Sequence, residues 1–197
     1  MPAYRSDAEG EVRQAVVARL RQIRPNARIM HEINVSSFGN RVDVLAVDRA
    51  EIIAVEIKSA RDKLDRLADQ VKAMRGCAHH TIAAVHEKFG LAAVKEATGW
   101  RATHWFYPAD IAYWTDPRPS LTIPLPSGAL DMLWRDELLT MCGKYSVCVG
   151  KRPTMGHMIP ALRWQLSGRD LTLGICAALR ARHCIEADEA VEWSEAA

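Results

Sequence analysis

Residues 41–59 read Arg41-Val42-Asp43-Val44-Leu45-Ala46-Val47, then a polar break at Asp48-Arg49, then Glu51-Ile52-Ile53-Ala54-Val55-Glu56-Ile57-Lys58-Ser59. Two apolar, β-branched runs on either side of a polar break predict two strands. The break is too short for a crossover helix, so the strands should form an antiparallel hairpin. Side chains alternate along a strand. Ile53, Val55 and Ile57 therefore share one face, and Ala54, Glu56 and Lys58 share the other. In the first run Val42, Val44 and Ala46 should face one way, and Asp43, Leu45 and Val47 the other.

Loop length sets which residues meet. A two-residue loop at Asp48-Arg49 pairs Asp43 with Ala54 and leaves Glu56 diagonally across. A four-residue loop, 48–51, sets Asp43 opposite Glu56. In both registers the carboxylates share a side, with Cβ atoms roughly 5–8 Å apart. A three-residue loop would separate them. Two carboxylates held together raise each other's proton affinity unless a cation lies between them. An all-oxygen set suits Mg²⁺ or Mn²⁺ better than zinc. Lys58 extends from the same face and can position water or stabilise developing negative charge. The competing reading is an edge hairpin whose charged face meets only solvent.

On Asp43, Glu56 and Lys58 the chain resembles the PD-(D/E)XK nuclease superfamily, with Val42 where the motif has proline. It is similar to stand-alone prokaryotic or phage members, MmcB-type DNA repair proteins among them, over roughly residues 9–86. The resemblance implies an α/β fold: a restriction-endonuclease-like α-β-β-β-α-β core with a mixed sheet, here with a C-terminal helical extension. It implies a Mg²⁺- or Mn²⁺-dependent nuclease that hydrolyses DNA phosphodiester bonds in repair, restriction or phage and mobile-element processing. The metal ligands would be Asp43, Glu56, the Ile57 backbone carbonyl and Glu32, and the catalytic set would be Asp43, Glu56, Lys58 and Glu32. Glu11, on the first helix, is the other candidate for the further acid, supporting from behind the ligands. Gln70, Lys63 and Arg66 would contact DNA. RNA is the other nucleic acid open to such a site, and a homodimer is open too. A non-catalytic nucleic-acid-binding module, or a subunit partnering a nuclease, is the alternative on the same fold.

Outward from the hairpin, Val12, Val16, Val17 and Leu20 predict an amphipathic helix over 9–23, ended before Pro25. Residues 29–35 predict a strand with Ile29, Ile33 and Val35 on its buried face and Glu32 opposite. Leu64, Leu67, Ala68, Val71 and Met74 form a helical stripe that Gly76 ends. A strand over 81–85, a helix over 91–97, and strands over 103–107 and 111–114 follow. The aromatic cluster Trp100, Trp105, Tyr113 and Trp114 reads as core more readily than as a base-stacking platform.

Residues 1–114 thus form the expected core, 115–129 a proline-rich linker and 130–185 a small helical extension. That extension holds helices over 130–142, 155–166 and 169–182, with arginines at 152, 163, 169, 180 and 182 as a basic tint. Residues 186–197 form an acidic tail, expected as a frayed end or short helix.

Of 197 residues 49% are hydrophobic and 25% charged, enough for a real core and unlike a disordered chain. The net charge of +2 excludes a strongly basic nonspecific binder, although a local patch suffices for DNA. No signal sequence or membrane span is visible, and five cysteines without a Cys-x-x-Cys pair suit reduced thiols; a cytoplasmic protein is expected. Nothing in the His and Cys spacing supports zinc.

Overall fold

The computed structural model describes residues 6–35, 40–109, 125 and 127–193. The linker region and the strand expected over 111–114 therefore lie mostly outside the described residues. The chain folds as a mixed α/β protein, as expected. Helix α1 (Asp7–Ile23) is followed by β1 (Arg28–Asn34), β2 (Arg41–Val47) and β3 (Ile52–Lys58). Then come α2 (Leu67–Arg75), β4 (His80–His86), α3 (Gly90–Thr98) and β5 (Thr103–Tyr107). After a short 3-10 stretch over Ser127–Met132, α4 (Arg135–Lys144), α5 (Met155–Gln165) and α6 (Gly168–Ala181) complete the order.

The five strands lie in sequence order. β1, β2 and β3 form an antiparallel meander, and β3, β4 and β5 run parallel. Parallel neighbours need a crossover, and α2 and α3 supply it. β3 is thus the central strand, and all seven of its residues are buried. That excludes the edge hairpin with a solvated face. The hairpin register is the one set by a four-residue loop: Val44 pairs with Val55 and Val47 with Ile52. The Asp48 N–H donates to the Glu51 carbonyl at 2.9 Å and closes that loop.

Alternation in β3 divides the core. Ile53, Val55 and Ile57 pack with Val12, Val16 and Leu20 of α1. Ile52 and Ala54 join the opposite layer, where Leu67, Val71 and Met74 of α2 meet Leu138 and Met141 of α4, Leu162 of α5 and Ile175 and Leu179 of α6. Each such side chain contributes about 1.5–3 kcal/mol by leaving water. The C-terminal helices therefore extend the core that the sheet and α2 begin. Ala68, expected in the α2 stripe, is exposed because the helix turns it outward. Arg180 and Arg182 are buried, which removes them from any basic surface. Arg182 donates to Glu137 at 2.6 Å and to the Met132 carbonyl at 2.8 Å.

The acidic tail is neither a frayed end nor a helix where it passes β1. Met30 bridges Ala187, His31 N–H donates to the Glu186 carbonyl at 2.9 Å, and Asp188 N–H donates to the Ile29 carbonyl at 2.9 Å. Arg28 donates to the Leu179 and Arg180 carbonyls at 2.8 Å each, capping the end of α6 from the sheet. The tail covers backbone groups that an edge strand would otherwise expose.

Candidate metal and phosphate site

The β2–β3 ladder stops at Val44–Val55, one position before Asp43 and Glu56 would pair. Beyond it β2 stays with β1, down to Asn34–Arg41, and β3 stays with β4, up to Lys58–Val85. The sheet forks there. A second irregularity sits beside the fork. Glu32 has φ +58°, and the β1–β2 register skips its pairing with Asp43. A left-handed backbone costs a non-glycine residue on the order of 1–3 kcal/mol and persists only where its surroundings hold it. Side-chain alternation slips across this point. Val44 packs on the α1 side, but Val42, Ile33 and Val35 join the α2 side. Ile29 and Ile33 therefore do not share a face, contrary to strict alternation.

The slip turns the Asp43 carboxylate toward β3. Its Oδ2 accepts the Ile57 N–H at 2.7 Å, replacing the backbone partner lost at the fork. In a strand the N–H and carbonyl of one residue point to the same edge, so the Ile57 carbonyl also faces the fork. Glu56, 1% exposed, holds the Lys58 ammonium 2.6 Å from its Oε1. Its Oε2 is buried and has no hydrogen-bond partner among the described residues. Gln70 of α2 lies against Glu56 and favours its charged form, and the Gln70 Oε1 is buried without a partner as well.

These placements shift the proton affinities. Burial, then the neighbouring charge of Asp43, pushes Glu56 up to about 8, against the pull of Lys58 and Gln70. Burial pushes Asp43 up to about 6, opposed by the Ile57 N–H and Arg13 and reinforced by Glu32. A buried carboxylate with an orphaned oxygen, beside a half-buried second acid, is deficient in positive charge.

Sequence reasoning missed Arg13. This buried α1 arginine places Nη2 2.7 Å from Glu9 Oε1, 2.9 Å from Glu32 Oε1 and 3.7 Å from Asp43 Oδ1. Its Nη1 donates to the Asp43 carbonyl. The signal was present: Arg13 follows Val12 on the buried stripe and stands four residues after Glu9. Glu11 is exposed and off the site, so Glu9 is the α1 acid that reaches it. Glu32 reaches the cluster but is committed to arginines, Oε1 to Arg13 and Oε2 to Arg41 at 2.6 Å. That argues against its expected role as a ligand. Among the described residues no three His, Cys, Asp or Glu side chains are grouped to hold a metal ion. The ligands the fork offers are two carboxylates and backbone. Lys63 and Arg66 are exposed and precede α2, and neither touches the carboxylates in any described contact.

The loop after Lys58 is tied down. Asp62 accepts from the Ser59 N–H at 2.7 Å and the Ser59 hydroxyl at 2.6 Å, and Lys88 donates to the Ala60 carbonyl. Trp105 is buried, as expected of core, whereas Trp100 is 69% exposed at the far end of β5 under Lys95. Tyr113 and Trp114 lie outside the described residues. No described helix is long and apolar enough to cross a membrane.

Residues 3–98 match a family model described as bacteriophage P4 protein cII. The match runs through α1 to the end of α3 and so contains the whole fork. No curated protein and no solved structure matches the chain.

Proposed function

We propose that the protein is a divalent-metal-dependent nuclease acting on DNA, with the fork between β2 and β3 as its active site. One observation carries this reading: the half-buried Asp43 and the buried Glu56 face one fork beside Lys58, and one Glu56 oxygen there is unpartnered among the described residues. Residues of this kind fit Mg²⁺ or Mn²⁺. Asp43 Oδ1, Glu56 Oε2 and the Ile57 carbonyl would hold the ion, an all-oxygen donor set of the hard type. The element order α1-β1-β2-β3-α2-β4 supports the likeness to the PD-(D/E)XK core. The match to a phage family favours processing of phage or mobile-element DNA over other settings.

As the resemblance to the PD-(D/E)XK superfamily implies, hydrolysis would join a water oxygen to phosphorus, break the bond to the 3′ oxygen and return a proton to that leaving oxygen, giving a product with a 5′-phosphate. The bound ion supplies Lewis acidity toward the phosphoryl group and lowers the proton affinity of water. The chain supplies the rest. Lys58 swings from Glu56 toward a phosphoryl oxygen and stabilises the charge that grows there. Gln70, on a rigid helix, orients groups at Glu56. The tied 59–62 loop holds the backbone from which Lys58 reaches. Exposed Lys63 and Arg66 stand at the start of α2 to meet the phosphate backbone.

The test is cleavage of plasmid, linear, single-stranded and branched DNA, with RNA alongside, under Mg²⁺ or Mn²⁺. Asp43→Ala must abolish cutting, and Lys58→Ala must lower it by at least about 100-fold. Nucleic acid bound but left intact with both ions would support a non-catalytic binding module instead.

A further inference from the structure

Arg13 is a permanent positive charge placed among acids. It is 5% exposed, between Val12 and the edge of β2. Three carboxylates converge on its Nη2: Glu9 at 2.7 Å, Glu32 at 2.9 Å and Asp43 at 3.7 Å. Its Nη1 takes the Asp43 carbonyl and lies 3.3 Å from His31 Nδ1. Without the arginine these acids would be a second cluster of hard oxygen donors beside the first. A guanidinium stays protonated at any working pH, cannot coordinate a metal and repels one.

We infer that Arg13 stands in place of a second divalent ion, so the fork takes a single ion on its Asp43–Glu56 side. Glu9 and Glu32 then position Arg13 instead of binding metal. The inference rests on the proposed metal-binding reading and deepens it. Arg13 is a positioning residue: it fixes Asp43 through both the carbonyl and the carboxylate, and it balances charge that a second ion would otherwise balance. The strained backbone at Glu32 fits the same picture, because two arginines hold that carboxylate from both sides.

The test counts Mn²⁺ bound per chain, from the loss of the free-ion paramagnetic signal on titration of the full-length protein, and needs no substrate. The wild type should take one ion, and Glu56→Gln none. Arg13→Gln should take two, and the double variant Arg13→Gln/Glu32→Gln should return to one. One ion in Arg13→Gln, at any affinity, overturns the inference. Should that variant fail to fold, Glu32→Gln alone decides: one ion retained supports the inference, and loss of the ion overturns it. Two ions in the wild type would defeat the inference and leave the metal site standing, whereas none would defeat the metal site itself.

Discussion

Replacing Glu56 with glutamine should stabilise the metal-free protein, by an amount that grows as pH rises from the acid range to about 8. The amide has the shape of the protonated acid but cannot ionise. In the folded chain Glu56 holds its proton up to about pH 8, against an ordinary value of 4.5. The sign follows from linkage. A carboxyl raised on folding contributes nothing unfavourable below its unfolded pKa, and folding stability falls as pH climbs from there through the folded pKa. At 1.36 kcal/mol per tenfold change in proton affinity, the wild type loses up to about 4 kcal/mol by pH 8, and less than about 1 kcal/mol at pH 5. Water entering the fork as Glu56 ionises trims the larger figure to about 2–4 kcal/mol. For a chain of this size each kcal/mol moves Tm by about 2–4 °C, so Glu56→Gln should melt on the order of 10 °C higher at pH 8 and almost level with wild type at pH 5. Mn²⁺ at 1,000 times its Kd should then bring the two level or reverse the order, since it adds about 4.1 kcal/mol to the wild type alone. Thermal melts at the two pH values, with and without the ion, read all of this. A variant no more stable than wild type at pH 8, or equally stabilised at both pH values, would refute the charge argument.

Other outcomes follow from the same geometry. Mn²⁺ binding at pH 7 should release about one proton, because Glu56 is still protonated there, and far fewer at pH 9; calorimetry in buffers of different ionisation enthalpy measures the difference. Asp188→Ala should cost about 1–3 kcal/mol in urea unfolding, since it removes the Arg21 partner at 2.7 Å and strands the buried Ile29 N–H. That contribution belongs to a carboxyl held below its ordinary range, so it should be present at neutral pH and fade as pH falls through the acid range. Gly128→Ala should destabilise by about 1–3 kcal/mol, because a Cβ there would meet the backbone carbonyl oxygen of Gly76 at 2.5 Å, and backbone yields less than a side chain.

Much of the site could be read from the chain because it rests on local rules. Alternation along β3 put Glu56 and Lys58 on one face and Ile53, Val55 and Ile57 on the other, and the packing agrees. The hairpin was legible from the polar break, but two loop lengths suited the same carboxylate arrangement. The choice fell to the hydrogen bond between Asp48 and Glu51. Gln70 lay at helical spacing from a buried stripe. Where the reading strayed, a rule of period had been carried across an irregularity. Ile29 and Ile33 part company because the left-handed backbone at Glu32 shifts the phase by one residue.

By itself, then, the sequence determined the strands, the amphipathic helices and the acids and lysine that a fork could use, since side-chain period depends only on neighbours along the chain. The tertiary structure alone decided that β3 is central and dry, that β2 and β3 part at Asp43, and that Arg13 meets an aspartate thirty positions away. It also decided that an acidic tail would lie along β1. Those are contacts between segments far apart in sequence. Their formation depends on loop closure, desolvation and charge balance summed over the whole fold, and no local pattern encodes that sum.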